Sequence, residues 1–139
     1  MRLQDITSSG VATRIGLLLG RYMPRRMGYA LAQCAANIIA GCRPTIYHTV
    51  RANLQQVVGP EVREEALHEM TRRVFYHAGQ CYYDFFHAVG QPPEKRGSMI
   101  DIPESFFEHV HAETARGRGV LLLGVHMSNF DLIFPALGA

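Results

Sequence analysis

Residues 117–132 read Gly-Arg-Gly-Val-Leu-Leu-Leu-Gly-Val-His-Met-Ser-Asn-Phe-Asp-Leu. A glycine-flanked turn feeds the apolar run at 120–125, in which Gly124 is the one small interruption. A short apolar run bounded by Gly and by polar residues predicts a strand buried on both faces. His126, Ser128, Asn129 and Asp131 follow at once, and a second, mostly apolar stretch covers 130–137. The polar cluster therefore falls where a strand ends and a helix begins, the place where α/β proteins put their chemistry.

The spacing admits two readings, which are not exclusive. His126 and Asp131 are five residues apart, about 140° round an α-helix, so a single helix would not bring them to one face. They converge if His126 stands at the strand end and Asp131 in the first helical turn. Asp131 would then accept a hydrogen bond from one imidazole nitrogen, fix the tautomer and leave the other nitrogen free as a base. The positive end of the helix would keep His126 neutral, the form a general base needs. In the second reading Ser128 caps the helix and Asp131, three residues on, reaches back to the Ser128 amide.

Upstream of this block the chain reads as helical. Thr7 or Ser8 can cap a first helix, whose apolar stretch at 15–19 is too short to span a bilayer. Pro24 opens a second, running to Gly41, with Gln33 and Asn37 inside it. Arg21, Arg25 and Arg26 beside it favour a helix lying on a membrane interface over a spanning one, although a hairpin packed on the domain fits the same pattern. A third helix runs from Pro44 to about Val58 and ends at Gly59-Pro60. A long amphipathic helix follows over about 61–89. Its expected inner face holds Val62, Ala66, Met70, Val74, Ala78, Cys81 or Tyr82, Phe85 and Val89. The aromatics at 75–86 suit core packing, or an acyl-chain groove. Residues 91–98 read as a linker, 99–102 as a short strand, and 103–115 as a helix packing Phe106, Phe107 and Val110 inward. His109 and His111, two apart on a helix, point away from each other, so they are surface residues and no metal site is expected.

Composition is that of an ordinary globular chain, 47% hydrophobic and 19% charged over 139 residues. Three cysteines, Cys34, Cys42 and Cys81, form neither an even set nor a metal-like spacing, which favours reduced thiols in a cytoplasmic setting. The net charge of +2 hides an asymmetry. Residues 1–60 carry seven arginines against Asp5 alone, whereas 61–139 carry seven bases and eleven acids. A basic, apolar N-terminal part suits an anionic membrane surface. No nucleic acid is expected as a partner, because no reading helix is recognisable and the basic residues are not interleaved with stacking aromatics.

The block at 117–131 resembles the first conserved block of bacterial lipid A biosynthesis acyltransferases, in the wider lysophospholipid acyltransferase superfamily. The superfamily signature is His, four residues, then Asp or Glu. The family block runs Gly-x-Gly, an apolar strand, then His-x-Gly-Asn-Trp-Glu; here Ser128, Phe130 and Asp131 replace the Gly, the Trp and the Glu. Residues 50–54, Val-Arg-Ala-Asn-Leu, are similar to the family's Arg-x-Asn-Leu segment. The resemblance implies an α/β, α-rich fold in which N-terminal amphipathic helices lead into the start of a catalytic core. On that view 1–42 is a membrane-interface region, 43–90 a helical region with the long helix, and 91–139 the start of the core.

It further implies transfer of a fatty acyl group from a thioester to a hydroxyl of a membrane lipid or glycolipid. His126 would be the general base, oriented by Asp131, with Asn129 and Ser128 as candidate substrate contacts. The donor would be an acyl carrier protein or coenzyme A thioester, a substrate, and no cofactor is called for. The place implied is the cytoplasmic face of the bacterial inner membrane, peripherally or interfacially anchored. Family members are roughly twice as long, so the chain is expected to be an N-terminal fragment, inactive alone. The competing expectation is a non-catalytic, basic amphipathic membrane-binding module in which the His126 turn only caps a helix.

Overall fold

The computed structural model describes residues 10–121, 123 and 129–134. Of these, 80% are helical and none is in a strand. Helix α1 spans Gly10–Tyr22, α2 Arg25–Cys42, α3 Thr45–Val58 and α4 Glu64–Gly90; α5, Pro93–Arg96, is one turn, and α6 is Glu104–Ala115. Short 3-10 turns cover Gly97–Met99 and Phe130–Leu132.

Proline sets most of the helix starts. Pro24, Pro44, Pro92 and Pro103 each stand at the N-cap in an extended conformation that a pyrrolidine ring favours. The Pro24 carbonyl takes the first amides of α2, from Met27 at 2.9 Å and Gly28 at 3.1 Å. Helix α2 stops at Arg43, left-handed at φ 46°, whose amide bonds the Ile39 carbonyl at 2.9 Å. A non-glycine residue gives up about 1 kcal/mol in that conformation. The guanidinium lies 6.0 Å from the centre of the Tyr47 ring, a favourable cation–π contact that offsets part of it. The end of α4 is closed from outside the helix: Arg96 donates to the carbonyls of Gln91 at 2.8 Å and Val89 at 3.1 Å.

Helices α1, α2 and α3 all pack on α4. The first two do so through residues almost without side chains. A Cβ on Gly28 would lie 2.3 Å from the Tyr83 ring, and one on Gly20 would lie 2.5 Å from the Phe86 backbone carbon. Gly79 of α4 meets Ala32 of α2 in the same manner, at 2.9 Å. Ala32, Ala36 and Ala40 form the buried edge of α2. Helix α3 instead docks with a large residue. Tyr47 is fully buried, bonds His68 Nδ1 at 2.7 Å and stacks on Phe75.

This small-residue packing shifts the buried stripe of α4 away from the expected one. Leu67, Thr71, Tyr83, Asp84 and Ala88 are buried, whereas Met70 and Val74 are exposed. Hydrophobicity favours Met70 and Val74, but α2 comes close to α4 where α4 is thin, at Gly79 against Ala32. Thr71 tolerates complete burial because its hydroxyl donates to the Leu67 carbonyl at 2.7 Å. The aromatics at 75–86 divide accordingly, with Tyr83 in the core and Tyr82 exposed.

After α4 two expectations need correction. Residues 91–98 are no plain linker, since α5 and the Gly97–Met99 turn fill most of that stretch. Residues 99–102 form no strand: Ile100 is extended at φ −130° and ψ 144°, yet no ladder partner lies beside it among the described residues. Helix α6 has no buried residue; Phe106 and Val110 are half-buried and Phe107 is exposed, so the expected inward packing is only partial. His109 and His111 are exposed as expected. Val120, Leu121 and Leu123 stand outside any strand, and the rest of the expected strand at 120–125 lies outside the described residues. The α-rich character is thus observed, and the α/β core is not seen among the described residues. Among the described residues no helix is long and apolar enough to cross a membrane.

Candidate functional site

The approach to the polar block is set by Gly117, whose φ of 70° lies where a side chain would be strained. Its amide bonds the Thr114 carbonyl at 2.9 Å and closes α6. Arg118 pairs with Glu113 at 2.6 Å, and Glu113 also takes Arg116 at 2.8 Å. Both pairs are exposed and contribute little, but they bind the start of the block to the end of α6.

Of the four residues singled out by sequence, Asn129 and Asp131 are described, while His126 and Ser128 lie outside the described residues. Asn129 is the N-cap of the Phe130–Leu132 turn, and its carbonyl accepts the Leu132 amide at 2.9 Å. Its side chain makes no cap bond. It turns to α4 instead, where Nδ2 donates to Asp84 Oδ2 at 2.8 Å. The capping reading rests on Ser128 and so falls outside the described residues. Asp131 is exposed and has no hydrogen-bond or ion-pair partner among the described residues.

Asp84 was not anticipated. It is the lone acid between Glu69 and Glu94 and interrupts an aromatic run, Tyr82-Tyr83-Asp84-Phe85-Phe86; that interruption was the available signal. Only 8% exposed, it gathers three segments. The Tyr29 hydroxyl donates to Oδ2 at 2.9 Å, Asn129 bonds the same oxygen, and Arg25 Nε lies 3.7 Å from Oδ1. Arg25 also donates through Nε and Nη2 to the Tyr29 oxygen, at 2.9 and 2.7 Å. A buried carboxylate is tolerable only with such donors and a nearby cation. Tyr29 packs edge-on against Tyr83, 5.9 Å between centroids.

The electrostatics follow from burial beside a carboxylate. Burial pushes the Tyr29 and Tyr83 phenols above their ordinary range, and Asp84 adds to both. The Cys81 thiol is raised by burial first and then by Asp84 and Asp131, so it stays protonated near neutrality. Tyr29, His77, Gln80, Cys81, Asp84 and Asn129 line one cavity of about 320 Å³ at this junction. Its lining side chains carry both donors and acceptors. Among the described residues no group of three His, Cys, Asp or Glu is placed to hold a metal ion.

The 50–54 segment lies apart from the site, on α3. Arg51 forms an ion pair with Glu64 that clips α3 to the start of α4, and Asn53 is exposed.

Comparison with curated proteins and comparison with solved structures each give no match. The family model for bacterial lipid A biosynthesis acyltransferases matches residues 6–139, from ahead of α1 through the polar block. That match covers the small-residue helices, the long α4 and the His126 block together, and the chain belongs to the bacterial lipid A biosynthesis acyltransferase family.

Proposed function

We propose that the protein transfers a fatty acyl group from a thioester of acyl carrier protein or coenzyme A to a hydroxyl of a membrane glycolipid, with His126 as general base and Asp131 orienting it. The observation that carries this reading is the family match across a block with the His-x4-Asp spacing. In this mechanism neutral His126 takes the proton of the acceptor hydroxyl as its oxygen attacks the thioester carbonyl. The tetrahedral intermediate then expels the thiolate, and the imidazolium returns the proton to the leaving sulfur. The Asp131 carboxylate holds the tautomer and steadies the imidazolium, and no covalent acyl-enzyme is needed. Its exposure is consistent with a carboxylate held for a partner in the adjoining block. The test is mass spectrometry of lipid A from a bacterial strain lacking one endogenous acyltransferase and expressing the complete open reading frame that contains these residues, the 139 residues alone being expected inactive. A gain of one acyl chain is expected, and an unchanged lipid A overturns the reading.

Attachment to the cytoplasmic face of the inner membrane belongs to the same proposal. Ile15, Leu18, Leu19 and Tyr22 recur on one face of α1, and Met27, Leu31 and Ile38 on one face of α2; all are exposed. Leu18 is 60% and Leu31 53% exposed, beside Arg21, Arg25 and Arg26 and with no acid in either helix. Such a face binds by burying apolar area while the arginines meet anionic headgroups. In vesicle sedimentation Leu18→Glu with Leu31→Glu should lower binding to phosphatidylglycerol vesicles at least tenfold, and added salt should weaken wild-type binding. Equal binding by both proteins overturns the interfacial assignment.

A further inference from the structure

We infer that Asp84 is a positioning residue that fixes the turn carrying Asn129 and Asp131, which begins three residues after His126 in the chain, to the point on α4 where α2 is also held. The catalytic consequence rests on the dyad proposed above; the tether itself does not. Oδ2 of Asp84 receives donors from two segments far apart in the chain. Tyr29 lies 55 residues before it and Asn129 45 after, at 2.9 and 2.8 Å. A mid-helix aspartate is a poor helix former, so α4 itself gains nothing from this residue. What the carboxylate supplies is an acceptor in a buried place, with Arg25 at 3.7 Å to balance its charge.

The geometry fixes the Asn129 amide in one orientation. Nδ2 faces the carboxylate, while Oδ1 is buried with no hydrogen-bond partner among the described residues. Turning the amide over would bring Oδ1 against the Asp84 oxygen, acceptor against acceptor, which the buried carboxylate forbids. The backbone of Asn129 in turn begins the Phe130–Leu132 turn, whose first amide bond runs from Leu132 to the Asn129 carbonyl. Asp131 is exposed, so its side chain does not anchor the turn. One carboxylate thus sets both the seat of α2 and the seat of the residues flanking the proposed base. A shift of a few tenths of an ångström at Asp84 is passed to both.

The test is amide hydrogen exchange on the full chain, read at Leu132 and at Leu67–Thr71 as the core reference. Asp84→Ala and Asn129→Ala are each expected to speed exchange at Leu132 at least tenfold, with the core within twofold. The double variant should be no faster than either single, because both remove one bond. Combining Asp84→Asn with Asn129→Asp restores an amide–carboxylate pair with roles exchanged, and should return Leu132 to within threefold of wild type. Unchanged exchange in Asn129→Ala, additive effects, or a swap no better than the singles would each overturn the tether. If Asp84→Ala loses helicity, Asn129→Ala, outside every long helix, decides alone. In acyl-transfer assays the singles should lower kcat about tenfold with KM within twofold, and the swap should recover it. Lost protection with unchanged kcat removes the positioning role and leaves the dyad standing. An active His126→Ala enzyme removes the dyad and leaves the tether.

Discussion

His126→Ala is expected to lower the rate of acyl transfer about 10³-fold, the scale of a general base lost from a reacting hydroxyl. That factor corresponds to about 4 kcal/mol of transition-state stabilisation. Vesicle binding should be unchanged, since the apolar faces of α1 and α2 are separate from the polar block. On the dyad proposed above, Asp131→Asn should be milder, lowering the rate less than His126→Ala and leaving vesicle binding unchanged. A His126→Ala enzyme with wild-type activity would take the role of base from His126, whereas vesicle binding without any acyl transfer by the wild-type protein would favour the membrane-binding module.

Gly20→Ala is expected to destabilise the fold by about 3 kcal/mol, at the upper end of what overpacking a tight contact costs. The new methyl would meet the Phe86 carbonyl carbon at 2.5 Å, its oxygen at 2.6 Å and the His87 nitrogen at 2.7 Å. All three are backbone atoms of α4, so no side-chain rotation relieves the clash and α1 must move off. Displacement also loosens the bond from His87 Nδ1 to the Gly20 carbonyl, 2.6 Å long. Thermal unfolding followed by circular dichroism should show a midpoint lower by about 10 °C. Gly41→Ala is the matched control: nothing lies within 4 Å of its added carbon, and in the last turn of α2 it should be neutral or slightly stabilising. Equal losses from both substitutions would refute the close packing of α1 on α4.

The helices were legible because their punctuation is local. Pro24, Pro44 and Gly59 mark boundaries that depend on one residue's backbone, and the observed ends fall within a few residues of those marks. The buried face of α4 was not legible. Periodicity ranks Met70 and Val74 above Thr71 and Gly79, but the close approach of α2 depends on where both helices are thin, a property of the pair. Asp84 escaped for a related reason. An acid in an aromatic run signals something buried, yet its partners Tyr29 and Asn129 come from segments that only the fold brings together. Asn129 was selected from the motif, and its observed bond gives it a role in holding the turn that the motif did not suggest.

The order in which the chain leaves the ribosome gives the packing of α1 and α2 on α4 a further consequence. Gly20 and its partner His87 are 67 residues apart. At about 5–20 residues per second, α1 emerges roughly 3–13 seconds before the residues that cover it. Over that interval the glycine and alanine faces of both helices have no protein to meet, while their outer leucines and arginines are already on display. On the interfacial attachment proposed above, a bilayer beside the ribosome would be the first surface on offer to these helices, and α4 would arrive to a pair already lying there.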